Sequence, residues 1–281
     1  MQSIYKKAGI VVKPHSEVVS YLESAIKILK RFNVEVVLEK IAADLIGMSS
    51  DVSRDEIAAR VDIIILIGGD GTFLSVATRA VEAQIPVGGF NLGTLGFLTE
   101  LSKDLLEEKL SEIFHGKAFI SERKLLEINF KGEKWIALND VVANRGNISR
   151  VSKLLLEIDR ERVVEFSGDG LIIATPTGST AYSLASGGPI VSPRVNGFIV
   201  TPICPHSLTF RPLVVPDISR IRVTSMSENN RVFFTVDGQK VLPMDTGDTF
   251  EVGLYDKKLK MIVAKEMNYF RLLNEKLNWG I

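Results

Sequence analysis

Apolar residues in the first third of the chain follow two alternating rhythms. Ala8 to Val12 is a short apolar run. Val18 to Phe32 then carries apolar residues at 18, 19, 22, 25, 26, 29 and 32, the spacing of one helical face. Val34 to Leu38 is a second strand-like run. Asp62 to Ile67 is rich in β-branched residues and leucine, which predicts a strand covered on both faces. That run stops at Gly68-Gly69-Asp70-Gly71. Thr72 to Ala80 reads as a short helix, and Pro86 to Phe90 as a strand ending at Asn91-Leu92-Gly93. Ser102 is placed as the N-cap of a helix from Lys103 to His115, closed by Gly116. Strand, helix and strand in repetition predict a parallel sheet with helices on its faces.

The rhythm changes near residue 117. Apolar runs become short and helical spacing fades. Candidate strands are Leu125 to Phe130, Trp135 to Val142, Lys153 to Ile158, Val163 to Phe166, Leu171 to Ala174, Phe198 to Thr201, Ile221 to Met226, Val232 to Val236, Thr249 to Tyr255 and Lys260 to Ala264. Turn formers such as Gly132, Asp159 and Asp237-Gly238 separate them. Many short strands predict a sandwich or barrel-like β domain. Tyr269 to Leu277 returns to helical spacing and is expected to pack back on the first domain. The expected plan is therefore an α/β domain with a Rossmann-like parallel sheet over 1–117 plus 265–281, and an all-β, sandwich-like domain over 118–264.

Charge and composition narrow the function classes. Lys plus Arg and Asp plus Glu both number 34, so the chain is formally neutral. Neutrality argues against a protein that coats nucleic acid, though not against a local phosphate site. No apolar stretch approaches the ~18 residues that span a bilayer, and Ala8 to Val12 is too short for a signal-peptide core. The single cysteine, Cys204, has no internal disulfide partner and reads as a small buried hydrophobe. The three histidines carry no metal-ligand spacing. The cytoplasm is the expected compartment.

Gly68-Gly69-Asp70-Gly71-Thr72 lies between a strand and a helix. Glycines let the backbone approach a ligand closely, and the helix start offers free N–H groups to phosphate. There is no G-x-x-x-x-G-K-[ST] and no G-x-G-x-x-G after a strand, which excludes the common nucleotide loops. The acid at the centre would repel phosphate unless a proton transfer or a cation justifies it, so Asp70 is a candidate general base. A plain Gly-Asp-Gly turn is the competing reading.

A second constellation begins at Asn139-Asp140, where an amide beside a carboxylate can read ribose hydroxyls; alone, a turn-forming pair is the simpler account. Gly168-Asp169-Gly170 leads to Thr175-Pro176-Thr177-Gly178-Ser179-Thr180-Ala181-Tyr182-Ser183 and then to Ser186-Gly187-Gly188. Small hydroxyls suit a sugar and phosphate surface, and Tyr182 can flank a base or ribose. A surface loop of turn formers is the alternative.

Taken together, these blocks make the sequence resemble the NAD kinase family. The resemblance rests on Gly68 to Thr72, on Asn91-Leu92-Gly93-Thr94-Leu95-Gly96-Phe97-Leu98, on Asn139-Asp140, on Gly168 to Ile190 and on Asp237-Gly238-Gln239. It implies phosphorylation of the 2′-hydroxyl of the adenosine ribose of NAD, giving NADP. Asp70 would be the catalytic carboxylate. Gly71, Asn139, Asp140, Asp169, Thr177, Thr180, Ala181, Tyr182 and Gln239 would bind NAD, and Gly68, Gly69, Gly71 and Thr72 the donor phosphates. Asn91, Ser186, Arg211 and Asp237 are further candidates. The resemblance also implies ATP or polyphosphate as donor, Mg2+ or another divalent cation on the donor phosphates, and a cytoplasmic homodimer or homotetramer. Two departures stand out: Asp140 replaces a common Glu, and the hydroxyl expected at 185 sits at Ser186. The sequence decides neither NAD against NADH nor ATP against polyphosphate.

Three rival functions compete with this one. A diacylglycerol-type lipid kinase would share the glycine loop but should carry a membrane-facing stretch. A non-catalytic dinucleotide sensor would be expected to lose the acid at 70. A sugar-phosphate kinase gives no account of the hydroxyl-rich block.

Overall fold

The computed structural model describes residues 3–93, 95–145, 151–227, 232–264 and 269–278. The chain divides into two compact units, Met1–Glu122 with Lys257–Ile281, and Arg123–Asp256.

The first unit contains β1 (Lys7–Val12), α1 (Val19–Arg31), β2 (Glu35–Leu38), α2 (Lys40–Leu45), β3 (Ile63–Ile67), α3 (Asp70–Glu82), β4 (Val87–Asn91), β5 (Leu101–Ser102), α4 (Leu106–Phe114) and β6 (Phe119–Arg123). All five residues of β3 are buried, as a strand with helices on both faces requires. Leu22, Ala25, Ile28 and Leu29 of α1 meet Ile10, Ile63, Ile65 and Phe114 in one core. Ser102 caps the turn before α4 by accepting from the Asp104 N–H, as its position predicts. Helix α3 begins at Asp70, two residues before the expected start, so Asp70 and Gly71 form its first turn. The short helix α2 and strands β5 and β6 had no clear pattern in the sequence.

The second unit contains β7 (Leu126–Phe130), β8 (Glu133–Ala137), β9 (Asp140–Asn144), β10 (Ser152–Ile158), β11 (Glu161–Gly168), β12 (Gly170–Ala174), the one-turn α5 (Tyr182–Ala185), β13 (Gly197–Ile203), β14 (Leu213–Pro216), β15 (Ile221–Ser225), β16 (Val232–Val236), β17 (Lys240–Met244) and β18 (Thr249–Leu254). They form two six-stranded sheets, ordered β11-β10-β15-β18-β7-β8 and β14-β13-β12-β9-β16-β17, and neighbouring strands within them pair antiparallel. Phe234 of the second sheet packs between Phe130 and Phe250 of the first, with ring centroids 4.9 and 5.1 Å apart. This is the core of a sandwich.

Two expectations need correction. Trp135 to Val142 is not one strand: the chain leaves the first sheet after Ala137 and enters the second at Asp140, turning at Leu138-Asn139. Lys260 to Ala264 does not belong to the sandwich. It forms β19 (Leu259–Val263), which pairs in parallel with β4 through Met261 and Val87. A short apolar run does not name its partner, so the second unit ends at Asp256, not 264. It starts at Arg123, because β6 joins the first unit's sheet. The last helix, α6 (Tyr269–Leu277), falls in the first unit and buries Leu272 and Leu273.

Candidate functional site

In the first unit the strand order is β2-β1-β3-β4, followed by β19 and β6. The chain runs outward from β1 to β2, then returns across β1 to β3. The direction of winding therefore reverses between β1 and β3, and ligands settle beyond the carboxyl ends of strands at such a point. A cavity of about 360 Å³ lies there, lined by Lys13, His15, Glu17, Gly68, Gly69, Asn91, Leu92 and Gly93. Gly68, Gly69 and Asn91 were expected. Asn91 is buried, with its amide donating to the carbonyls of Thr99 and Leu101.

Asp70, Gly71 and Thr72 do not line this cavity. The Asp70 carboxylate turns onto the segment 96–99. Its Oδ1 accepts from Leu98 N (3.0 Å), Thr99 N (3.1 Å) and Thr99 Oγ1 (3.1 Å). Its Oδ2 accepts, among the described residues, from Phe97 N alone (2.9 Å). The two loops are thus clasped by one side chain. The clasp explains Gly96: a Cβ there would fall 2.0 Å from Asp70 Oδ1. Thr94, part of the same motif, lies outside the described residues.

The second unit holds its own cavity, of about 320 Å³, lined by Asn139, Asp140, Val142, Asn144, Ala181, Tyr182, Thr235, Asp237 and Gly238. It is built around the corner where the chain changes sheets. Asp237, at the tip of the β16–β17 hairpin, accepts from the backbone N–H of Leu138 (2.8 Å), Asn139 (2.8 Å) and Asp140 (3.1 Å). Thr175 serves the carbonyls of the same corner. Its hydroxyl donates to Leu138 O (2.6 Å) and its N–H to Asn139 O (2.8 Å). Gly178 lies flat on this turn, and a Cβ on it would be 2.1 Å from Asn139 O. Three separate motifs therefore converge on one bend and present Asp140 to the cavity.

Asp140 is 5% exposed, and its carboxylate makes no hydrogen bond among the described residues. Burial first, and the neighbouring Asp237 charge second, push its pKa up to about 7. Burial also raises Asp237, to about 6, against the downward pull of the three amides it accepts from.

The hydroxyl-rich block does not form the polar surface expected of it. Thr175, Ser179 and Ser183 are buried and spent on the protein itself. Ser179 bonds to the Pro176 and Val191 backbone, and Ser183 to Thr201. Thr180 donates to Thr177 O. Thr177, Thr180, Ser186 and Gln239 line neither cavity, and only Ala181 and Tyr182 of the block reach one. Asp169 pairs with Arg145 at 3.0 Å. Arg211 is exposed and lines neither cavity. Cys204 is exposed, contrary to its expected burial.

Sequence reading missed Val142, Asn144 and Thr235, although a signal for them exists. Residues 140, 142 and 144 share one face of β9 by alternation, and Thr235 is the register partner of Val142. Lys13 was missed because its place follows only from the pairing of Val12 with Ile67. Among the described residues, no group of three or more His, Cys, Asp or Glu is placed to hold a metal, and no helix is long and apolar enough to cross a membrane.

Comparison with known proteins agrees with this architecture. Residues 8–118 match the family model described as ATP-NAD kinase N-terminal domain, and residues 138–264 the ATP-NAD kinase C-terminal domain. An NAD kinase of Syntrophotalea carbinolica is 39% identical over 98% of this chain and 99% of its own length. One from Sulfurimonas denitrificans is 38% identical over 99% and 98%. Among solved structures, yeast NADH kinase complexed with NADH aligns with a TM-score of 0.87 at 31% identity, covering 98% of this chain and 88% of that one. An NAD kinase from Archaeoglobus fulgidus, solved with ATP, shares the fold at a TM-score of 0.78 and 24% identity, covering 96% and 99%. With both halves matched in order and relatives aligned from end to end, the chain belongs to the NAD kinase family.

Proposed function

We propose that this protein transfers the terminal phosphate of ATP to the 2′-hydroxyl of the adenosine ribose of NAD, giving NADP. The observation that carries the reading is the Asp140 carboxylate. It is buried, and among the described residues it has no protein hydrogen-bond donor and faces a cavity that no lysine or arginine lines. Such a site suits hydroxyl and amine donors rather than phosphate. Tyr182, 44% exposed on the rim, offers a ring face to a base. The glycine-lined cavity of the first unit is of the opposite kind and suits the phosphates of the donor. The relatives' names and the NADH in the yeast structure support the same substrate class.

Phosphoryl transfer asks for alignment and charge neutralisation more than for covalent chemistry. An alcohol needs its proton taken as the new bond forms, and Asp70 is the carboxylate assigned to take it. Oδ2 supports that role, because among the described residues it accepts one hydrogen bond and keeps capacity for a hydroxyl proton. Mg2+, or another divalent cation, would enter with the donor phosphates and neutralise them; Glu17 is the carboxylate that the donor cavity offers it. A cytoplasmic location and a homodimeric or homotetrameric state belong to the same proposal.

The test is to incubate purified protein with Mg2+ and ATP and, separately, NAD, NADH, diacylglycerol and fructose 6-phosphate. The phosphorylated dinucleotide should appear, and neither phosphatidic acid nor fructose bisphosphate. Product from the lipid or the sugar phosphate alone would refute the reading. Polyphosphate in place of ATP decides the donor.

A further inference from the structure

Strands β1 and β3 end level, with Val12 opposite Ile67, so the residues that follow them open the cavity together. After β3 comes Gly68; after β1 comes Lys13, whose N–H donates to Ile67 O at 2.9 Å. The Lys13 Cβ lies 3.2 Å from the point where a side chain on Gly68 would begin. The lysine stem thus passes directly over the first glycine of the loop. Among the described residues Lys13 is the one lysine or arginine lining the cavity, and it makes no ion pair or side-chain hydrogen bond. His15 and Glu17, the other charged candidates there, face each other at 3.7 Å.

The backbone in front of Lys13 is held by an unusual device. Strand β2 stops at Leu38, opposite Ile10, so Val12 has no strand partner on that side. Its N–H instead donates to Glu39 Oε1 (2.8 Å), and its carbonyl accepts from Arg54 Nη2 (2.9 Å). Glu39 is 1% exposed and bonds Arg54 through both oxygens, at 2.7 Å each. Arg54 Nη1 also reaches Ser75 Oγ on α3, the helix that follows the glycines, at 3.2 Å. Burying the Glu39 carboxylate beside a half-buried Arg54 costs desolvation and gives little net stability. Its value here is geometric: it ties the end of β1 to the helix behind the glycine loop.

We propose that Lys13 binds the phosphates of the donor, and that the Glu39–Arg54 pair is the positioning element that holds it over Gly68. The inference rests on the assignment of this cavity to the phosphoryl donor. Lysine acts on phosphate as a point charge, so its placement matters more than its orientation. Bound triphosphate would meet one positive side chain beside the glycine backbone.

The test is Lys13→Met, which keeps the stem and removes the charge. ATP affinity is measured by calorimetric titration, and KM for ATP and for NAD by steady-state kinetics. ATP affinity should fall by about 10–100-fold, the usual loss for a charged hydrogen bond. KM for NAD should move by less than about twofold, and ATP binding should lose part of its salt dependence. Glu39→Gln should raise KM for ATP with kcat held within about threefold, and Lys13→Met should cost less in that background. Arg54→Lys, which keeps the charge and loses the fork, gives the same readout if Glu39→Gln does not fold. Unchanged ATP affinity in Lys13→Met overturns the proposal, and additive effects of the two substitutions overturn the positioning role. A wild-type protein that binds ATP yet phosphorylates no dinucleotide would refute the proposed function; the titration still decides Lys13.

Discussion

Replacing Gly96 by alanine would set a methyl carbon 2.0 Å from Asp70 Oδ1 and 2.3 Å from the Thr99 hydroxyl. A carbon and an oxygen need about 3.3 Å, so the carboxylate must retreat by more than about 1 Å, beyond hydrogen-bond geometry. Oδ1 carries three of the four bonds that join the two loops. Each bond to a charged acceptor is worth roughly 1.5–3 kcal/mol when lost. Water reaches this half-buried group and recovers part of that, so a net destabilisation of about 2–4 kcal/mol is expected. For a unit of this size that lowers the melting temperature by about 5–15 °C. Differential scanning calorimetry measures it. In an Asp70→Ala background the cost of Gly96→Ala should fall by roughly half or more, with the Thr99 contact as the remainder. A variant that melts within a degree of wild type would refute the clasp, as would an equal loss in both backgrounds.

Other consequences follow from the corner of the second unit. Asp140 and Asp237 keep their protons to about 7 and about 6 when folded, whereas an unfolded carboxyl releases its proton near pH 4. The folded chain therefore binds more protons between those values, and this contribution to stability is lost as pH rises from about 4 to about 7. Melting curves at pH 5 and pH 8 should show a larger fall for wild type than for Asp140→Asn; a pH-independent gap between the two would count against the buried pair. Asp237→Asn should destabilise the second unit by about 1–3 kcal/mol, because the amide oxygen can still accept from Asn139 and Asp140 but the NH2 then faces the Leu138 N–H; chemical denaturation checks it, and a loss below about 0.5 kcal/mol would contradict the clamp. Asp140→Asn should raise KM for NAD by roughly 10-fold or more at pH 8 and leave KM for ATP unchanged. Equal changes in both constants would remove Asp140 from the dinucleotide site.

The alternation of strands and helices in the first unit was legible because each segment carries its own period, as in β3 and α1. What periodicity does not carry is pairing. The run at 260–264 has the text of a sandwich strand, yet it pairs with β4. The bend at Leu138-Asn139 was hidden because apolar runs flank the polar Asn139-Asp140 pair on both sides, while the carboxylate that stabilises it lies far along the chain at Asp237. The hydroxyl block was read by composition as a ligand surface, and most of those hydroxyls serve the backbone that supports the surface. Asn139, Asp140, Ala181 and Tyr182 were legible because each lies in a contiguous motif that carries the family resemblance, and the structure brings those motifs to one cavity. Lys13 and Asn144 were not, because their roles come from register alone.

The most direct test of the account is the turnover of Asp70→Asn with saturating ATP, Mg2+ and NAD, alongside its affinity for NAD. A general base contributes about 10²–10⁴-fold, so the rate of NADP formation should fall by that factor while NAD still binds with near wild-type affinity. Turnover within a fewfold of wild type would show that the ribose proton leaves by another route.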